Sequence, residues 1–415
     1  MKSTFAQVYL LSVKKLSKYN IQVIGLYVST LFGSFLGLVT SVVNTHFLSE
    51  SDYGDVRYVQ NLITLIASLL LFGYFLSGSR LLALSSEEKR SRSIRGAMVV
   101  VLVICAIVLL LGTFLAGLVH QKLILRHLFL ISLPVCFYPL LINYINTTAQ
   151  GDNHIGRLSV SRFLPALLYV PLAFFVYTKW GASSELMILL QWGVYCLVLT
   201  IVLVSTRPSF RNLKSVFVDL QTENRFYGIQ LYYGSLAMVA TNYLAGIMLG
   251  VFNDDNVNVG YYTLALTLTN PLSYLPGIIG TAYFKQFVNE PRIPSKVFKG
   301  TLLITIISCL CFVVLVRFVV RWIYPESYAM VGTYASWMAI GFSVHGLGDM
   351  VNRFLGSHGD GRSIRNSSYA CGIFKIFGFV VWVWLWDIKG ALLTNVVSSC
   401  VYSLVLFYYY RKNCR

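Results

Sequence analysis

Charge is what this chain has least of. Only 12% of its 415 residues are charged, where a soluble domain carries roughly 25%. So little charge cannot cover a water-facing surface, which excludes a soluble fold and turns length into a count of membrane spans. Acids are scarcer than bases, 16 against 33, for a net charge of +17. The bases stand in short clusters between apolar runs and form no basic domain, so no nucleic-acid partner is expected. The eight cysteines include no CxxC and no His/Cys set with zinc spacing. They read as small buried hydrophobes, not as a disulfide framework or a metal site. A Ser/His/Asp set, paired carboxylates and a Gly-rich phosphate loop are missing too, so neither a catalytic centre nor a cofactor is expected. A cleavable signal is also unexpected. The apolar run after Lys14, Lys15 and Lys18 extends from Ile21 to Phe47, longer than an h-region of about 7–15 residues. It reads as a first span.

What is there is apolar sequence in span-length pieces. Segments near 21–47, 56–83, 97–119, 128–150, 163–178 and 186–205 precede a polar stretch, and those near 229–252, 259–284, 300–324, 331–355, 367–386 and 390–410 follow it. That predicts an all-α polytopic membrane protein of about twelve helices. Lys and Arg gather in alternate connections, such as Arg80–Arg95, Arg207–Arg225 and Arg411–Arg415. By the positive-inside rule both termini are cytoplasmic. The opposite connections, "SESDYGD", "HQKLILRH", "KWGASSE", "NDDNVN", "PESYAM" and "DIK", are too short to fold by themselves. The expected organisation is an N-terminal six-helix lobe at 1–206, a cytoplasmic linker at 207–228 and a C-terminal six-helix lobe at 229–415.

The halves repeat. Gly54 and Gly260 stand 206 residues apart, and nearly the same offset relates Arg80 to Lys285 and Asn146 to Asn352. Six spans per copy makes these parallel repeats, related by an axis along the membrane normal. Two matched lobes around a cavity is the logic of an alternating-access transporter.

The segment "FLSESDYGDVRYVQNLITLIASLLLFGYFLSGSRLLAL" resembles the first-to-second-span region of polysaccharide transporters in the multidrug/oligosaccharidyl-lipid/polysaccharide (MOP) exporter superfamily. "NVGYYTLALTLTNPLSYLPGIIGTAYFKQF" is similar to the matching part of the second lobe. The resemblance implies a MATE-like MOP fold, with Wzx-type O-antigen flippases as the nearest kin. It implies translocation of an undecaprenyl-pyrophosphate-linked oligosaccharide from the inner to the outer leaflet of a bacterial inner membrane. Membrane lipids, a polysaccharide polymerase and a chain-length regulator are the further partners implied. A MATE-like drug or cation exporter is the alternative. A membrane-embedded polymerase or ligase fits less well, because no large outer loop is present, and a purely structural scaffold would not need two matched lobes.

Ionisable groups inside spans are functional candidates. Lys375 lies well within the eleventh span and reads either as a cavity cation for an anionic carrier or as a snorkelling anchor. Arg80 and Lys285 end the second and eighth spans; they read as an anion clamp for a pyrophosphate or as positive-inside residues. Asp349 and Arg353, four apart, share a helix face and read as a pair at the inner mouth, Asp349 being the candidate for proton coupling; the alternative leaves Arg353 an unpartnered anchor. Asn44, His46, Asn242 and Asn270 are the polar residues expected at a cavity, or else in interhelical hydrogen bonds. Pro271 is expected to kink its helix.

Overall fold

The structure, a computed structural model, describes residues 31–152 and 154–413. Among them regular structure is helical and no strand occurs. The helices are α1 (Leu31–Phe47), α2 (Glu50–Leu69), α3 (Tyr74–Leu84), α4 (Glu88–Val119), α5 (Leu123–Ser132), α6 (Tyr138–Gly151), α7 (Ile155–Trp180) and α8 (Ser184–Ser205). After α9 (Leu213–Glu223) come α10 (Ile229–Phe252), α11 (Val257–Ala282), α12 (Phe284–Phe287), α13 (Ser295–Ile323), α14 (Met330–Ser357), α15 (Gly361–Phe377) and α16 (Val383–Asn413). Several start on a side-chain cap that satisfies a free backbone N–H. Ser49 accepts from Asp52 N, Ser183 from Leu186 N and Asp360 from Ser363 N.

Five helical stretches are long and apolar enough to cross a membrane, or seven if each of two bent pairs is one span. The outward faces say the same. Leu303, Ile307, Leu310, Val314 and Phe318 are all exposed along one stripe of α13, a stripe at helical spacing that only lipid would cover. The segments read from the sequence fall largely on helix in their described parts, with breaks near 70–73 in the second and 133–137 in the fourth; the start of the first lies outside the described residues.

α11 runs without interruption through Pro271 and Pro276. The 60° bend falls between α2 and α3, where Phe72 and Gly73 take positive φ values of 42° and 78°. No proline is involved. A second bend of 40° separates α5 from α6. The chain also departs from helix at Asp387 inside α16, within the expected "DIK" turn.

The connections sort into two ends. At one, the acidic end, Lys122 Nζ donates to Asn253 O, Ser184 Oγ donates to Asp52, and Tyr328 OH donates to Leu48 O. At the other, the basic end, Arg90 pairs with Asp219 and Arg80 with Glu223. This is the alternation that the charge pattern describes.

Within the first half, α3 packs on α4 and α6, and α7 on α8; within the second, α14 packs on α11, α13 and α16. The halves meet where α2 crosses α10 and α11. The stretch 207–228 is largely helical. α9 continues through a π-helical turn, Asn224–Gly228, directly into α10. That turn seats on the α2–α3 break: Asn224 Nδ2 donates to Phe72 O at 3.0 Å, and Ser77 Oγ donates to Asn224 Oδ1 at 3.1 Å.

Candidate functional site

A cavity of about 420 Å³ lies chiefly in the second half. α10 supplies Asn242 and Tyr243; α11 supplies Tyr262, Asn270 and Tyr274; α14 supplies His345 and Asp349. Lys375 of α15 and Asn395 and Ser399 of α16 close it, and Asn61 reaches it from α2 in the first half. Small residues on α14 allow this closeness; a Cβ on Gly341 would stand 2.8 Å from Asn395 Oδ1.

Two polar clusters organise the walls. The Lys375 amine donates to Asn242 Oδ1 at 3.3 Å. It enters no salt bridge among the described residues. Asp349 is held by a tyrosine: Tyr402 OH donates to Asp349 Oδ1 at 2.9 Å and accepts from Asn352 Nδ2 at 2.8 Å. The His345 ring stacks on Tyr402 at 4.4 Å between centroids. Amides, hydroxyls and one amine therefore converge on a space of small-molecule size, lined by groups that can donate to phosphate or sugar oxygens and accept from sugar hydroxyls. Among the described residues no three His, Cys, Asp or Glu side chains gather as metal ligands would.

Of the residues singled out in the sequence, Lys375, Asp349, Asn242 and Asn270 meet in this cavity. The others go elsewhere. Asn44 is buried in the first half, where its Oδ1 accepts from Tyr169 OH at 2.5 Å. His46 is exposed, its Nδ1 2.9 Å from Val42 O of its own helix. Arg80 donates to Glu223 at 2.6 Å and lies over the Tyr227 ring, so the linker faces it. Lys285 lies on α12, and its side chain is outside the described residues. The expected Asp349–Arg353 pair is not formed: Asp349 faces Tyr402, and Arg353 is exposed, with its side chain against Gly280. The i, i+4 spacing permits the pair, but a fixed phenol competes successfully with a long, mobile guanidinium. A double-mutant cycle of Asp349→Asn and Arg353→Gln, read as transport rate, is accordingly expected to show coupling below about 0.5 kcal/mol.

His345, Asn61, Asn395 and the cavity tyrosines do not stand out in the sequence. For His345 a signal exists. It lies four residues before Asp349 on the same helix, and the rule that pairs Asp349 with Arg353 would equally pair it with His345.

Helical halves joined across α2, α10 and α11, with a polar cavity among apolar helices, define a multi-pass, all-α membrane fold. Residues 22–284 match the family model described as "Polysaccharide biosynthesis protein", and the chain belongs to that family. Solved structures similar to it include "Lipid II flippase MurJ, inward closed conformation", at 13% identity and a TM-score of 0.74 over 94% of this chain and 89% of that one. An inward-facing multidrug resistance MATE family transporter of the MOP superfamily aligns at 15% identity and a TM-score of 0.64, over 92% and 94% of the two chains. An outward-facing MATE family transporter aligns at 13% identity and a TM-score of 0.61, over 95% of each chain. Such distant likenesses carry the fold. None of the curated proteins matches the chain by sequence.

Proposed function

We propose that this protein is a Wzx-type flippase that moves an undecaprenyl-pyrophosphate-linked oligosaccharide from the inner to the outer leaflet of a bacterial inner membrane, with both termini cytoplasmic. The observation that carries this reading is Lys375: an amine in the cavity, bonded to an amide and in no salt bridge among the described residues. A cation at that depth, set among amides and hydroxyls, suits an anionic headgroup that carries sugars. Asp349, fixed by Tyr402, is the cavity carboxylate available for proton exchange during the cycle. Arg80 and Lys285 remain the proposed capture residues at the basic end, with Arg80 leaving Glu223 when cargo loads.

Asp349 also supports a second reading, export of a cationic drug, because a carboxylate in the cavity would attract one. Deleting the gene separates the two. A flippase deletion loses surface glycan and accumulates lipid-linked units, with sensitivity to cationic dyes unchanged. Intact glycan with heightened dye sensitivity would replace the flippase with the exporter. In the complemented strain, Lys375→Gln is expected to lower transport about tenfold, since a hydrogen bond to a charged group contributes about 1.5–3 kcal/mol. Lys375→Arg is expected to retain more activity than Lys375→Gln.

A further inference from the structure

One of the six connections expected outside differs from the rest. "HQKLILRH", residues 120–127, carries Lys122 and Arg126 and no acid, whereas each of the other five carries at least one acid. Bases are what the positive-inside rule keeps away from this end. The stretch lies beside the seam where the halves meet, at which Gly54 of α2 packs against the Asn256 backbone between α10 and α11. A cavity of about 410 Å³ opens there, walled by both halves. His120, Lys122 and Tyr58 supply its polar groups; Leu62, Val119 and Val251 are among its apolar ones.

The polar groups are donors that no acid neutralises. Lys122 Nζ donates to Asn253 O at 3.0 Å, across the seam, and enters no salt bridge among the described residues. Asp55 lies within reach of its field but accepts from Asn256 Nδ2 at 2.6 Å instead. His120 Nδ1 accepts from Lys122 N at 3.2 Å, which leaves Nε2–H as the donor of the ring. Burial, and then the Lys122 charge, hold this histidine below its ordinary pKa, so it donates as the neutral ring. Tyr58 and Phe129 flank it at 5.8 and 5.9 Å between centroids. The apolar side continues into the membrane. Val119, 80% exposed, ends a stripe of Ile104, Val108, Leu111 and Leu115, all exposed at helical spacing along α4. The stripe is about 22 Å long, more than half of the ~30 Å hydrocarbon core.

Donors at the head of an apolar track suit an anion carried on a chain. We propose that this cavity binds an acidic glycerophospholipid, its phosphate on Lys122 Nζ and His120 Nε2 and an acyl chain along the α4 stripe. A single ammonium matches the one charge of a phosphodiester, whereas a pyrophosphate would call for more cations. Free phosphate would leave the stripe unused. The orientation proposed above puts the lipid in the outer leaflet; the site itself rests on neither that orientation nor the cargo.

Native mass spectrometry of the full chain, purified in detergent, reads the affinity of the first lipid bound. The probes are dioleoylphosphatidylglycerol, dioleoylphosphatidylcholine, undecaprenyl phosphate and inorganic phosphate. Lys122→Gln, whose amide can still donate to Asn253 O, is expected to weaken phosphatidylglycerol about tenfold, as loss of a charge-assisted hydrogen bond would. His120→Leu is expected to weaken it several-fold. Lys179→Gln, at an exposed base of another connection at this end, is expected to keep the parental affinity. Phosphatidylcholine, with no net charge, is expected to bind the parent and Lys122→Gln alike, and inorganic phosphate is expected not to displace phosphatidylglycerol. Parental phosphatidylglycerol affinity in Lys122→Gln overturns the site, and so does a loss of the same size in Lys179→Gln. Displacement by inorganic phosphate would make it a free-anion site and overturn the lipid. A dependence on Lys122 seen with undecaprenyl phosphate and not with phosphatidylglycerol would give the cavity to the carrier and overturn the glycerophospholipid. None of these outcomes turns on the surface glycan of the deletion strain, so the site and the proposed cargo fail separately.

Discussion

Gly54→Val is expected to abolish most transport while the protein still inserts. A Cβ at this position would lie 1.9 Å from Asn256 O and 2.5 Å from Asn256 C. Both are backbone atoms on the opposite half, so no side chain can swing aside. Overpacking of this kind costs about 1–3 kcal/mol, and all of it would fall on the state closed at this end. That energy shifts a two-state equilibrium about 5- to 150-fold. Gly260→Ala is the matched control. Its Cβ would find its nearest neighbours at 3.3–3.4 Å, among them Gly54 Cα, which small movements relieve. Transport by the two variants at equal membrane abundance checks the contrast; equal loss in both would show that the seam tolerates no change and that the backbone clash is not the cause.

The second large effect is on stability. Arg95 is 3% exposed at the basic end of α4. Its Nε and Nη2 donate to the two oxygens of Asp152, at 2.9 and 3.0 Å, and its Nη1 donates to Thr206 O at 2.8 Å. One guanidinium thus ties the start of α4 to the ends of α6 and α8. Arg95→Ala leaves the Asp152 carboxylate, among the described residues, with Arg157 at 3.4 Å as its remaining salt-bridge partner. Removing one member of a buried pair costs about 3–5 kcal/mol, and the loss is read as earlier thermal unfolding in detergent. Arg157→Ala, at the half-exposed member, is expected to cost far less. Similar losses in the two would mean that Asp152, not Arg95, holds this end.

The alternation of spans is legible because it rests on composition, and lipid enforces composition strictly. The same is true of the two halves and of Lys375. A lysine within a span stands out whatever surrounds it. The repeat gives more than its spacing promises: Gly54 and Gly260 face each other across the seam. What the sequence hides is choice of partner. Arg95 and Arg80 look like members of one positive cluster, yet Arg95 is buried on Asp152 and Arg80 is half-exposed on Glu223. Both pairings span long stretches of chain, and no local spacing encodes them. α11 stays helical through Pro271, since neighbouring helices can hold a proline-containing helix intact. The sharp bend comes instead from Phe72 and Gly73, where packing against the linker sets the backbone.

The run from Leu213 to Phe252 is helical throughout, interrupted in character only by the π turn at Asn224–Gly228. A slack tether between the halves would let them rock unnoticed by each other. A rod behaves differently. α9 is clamped to the first half by Asp219 and Glu223, while α10 forms a wall of the cavity, so any tilt of the second half applies torque at the clamp. The π turn is the one place where hydrogen-bond register can slip to absorb it. The connector thus runs as unbroken helix from ion pairs on the first half to a wall of the cavity in the second.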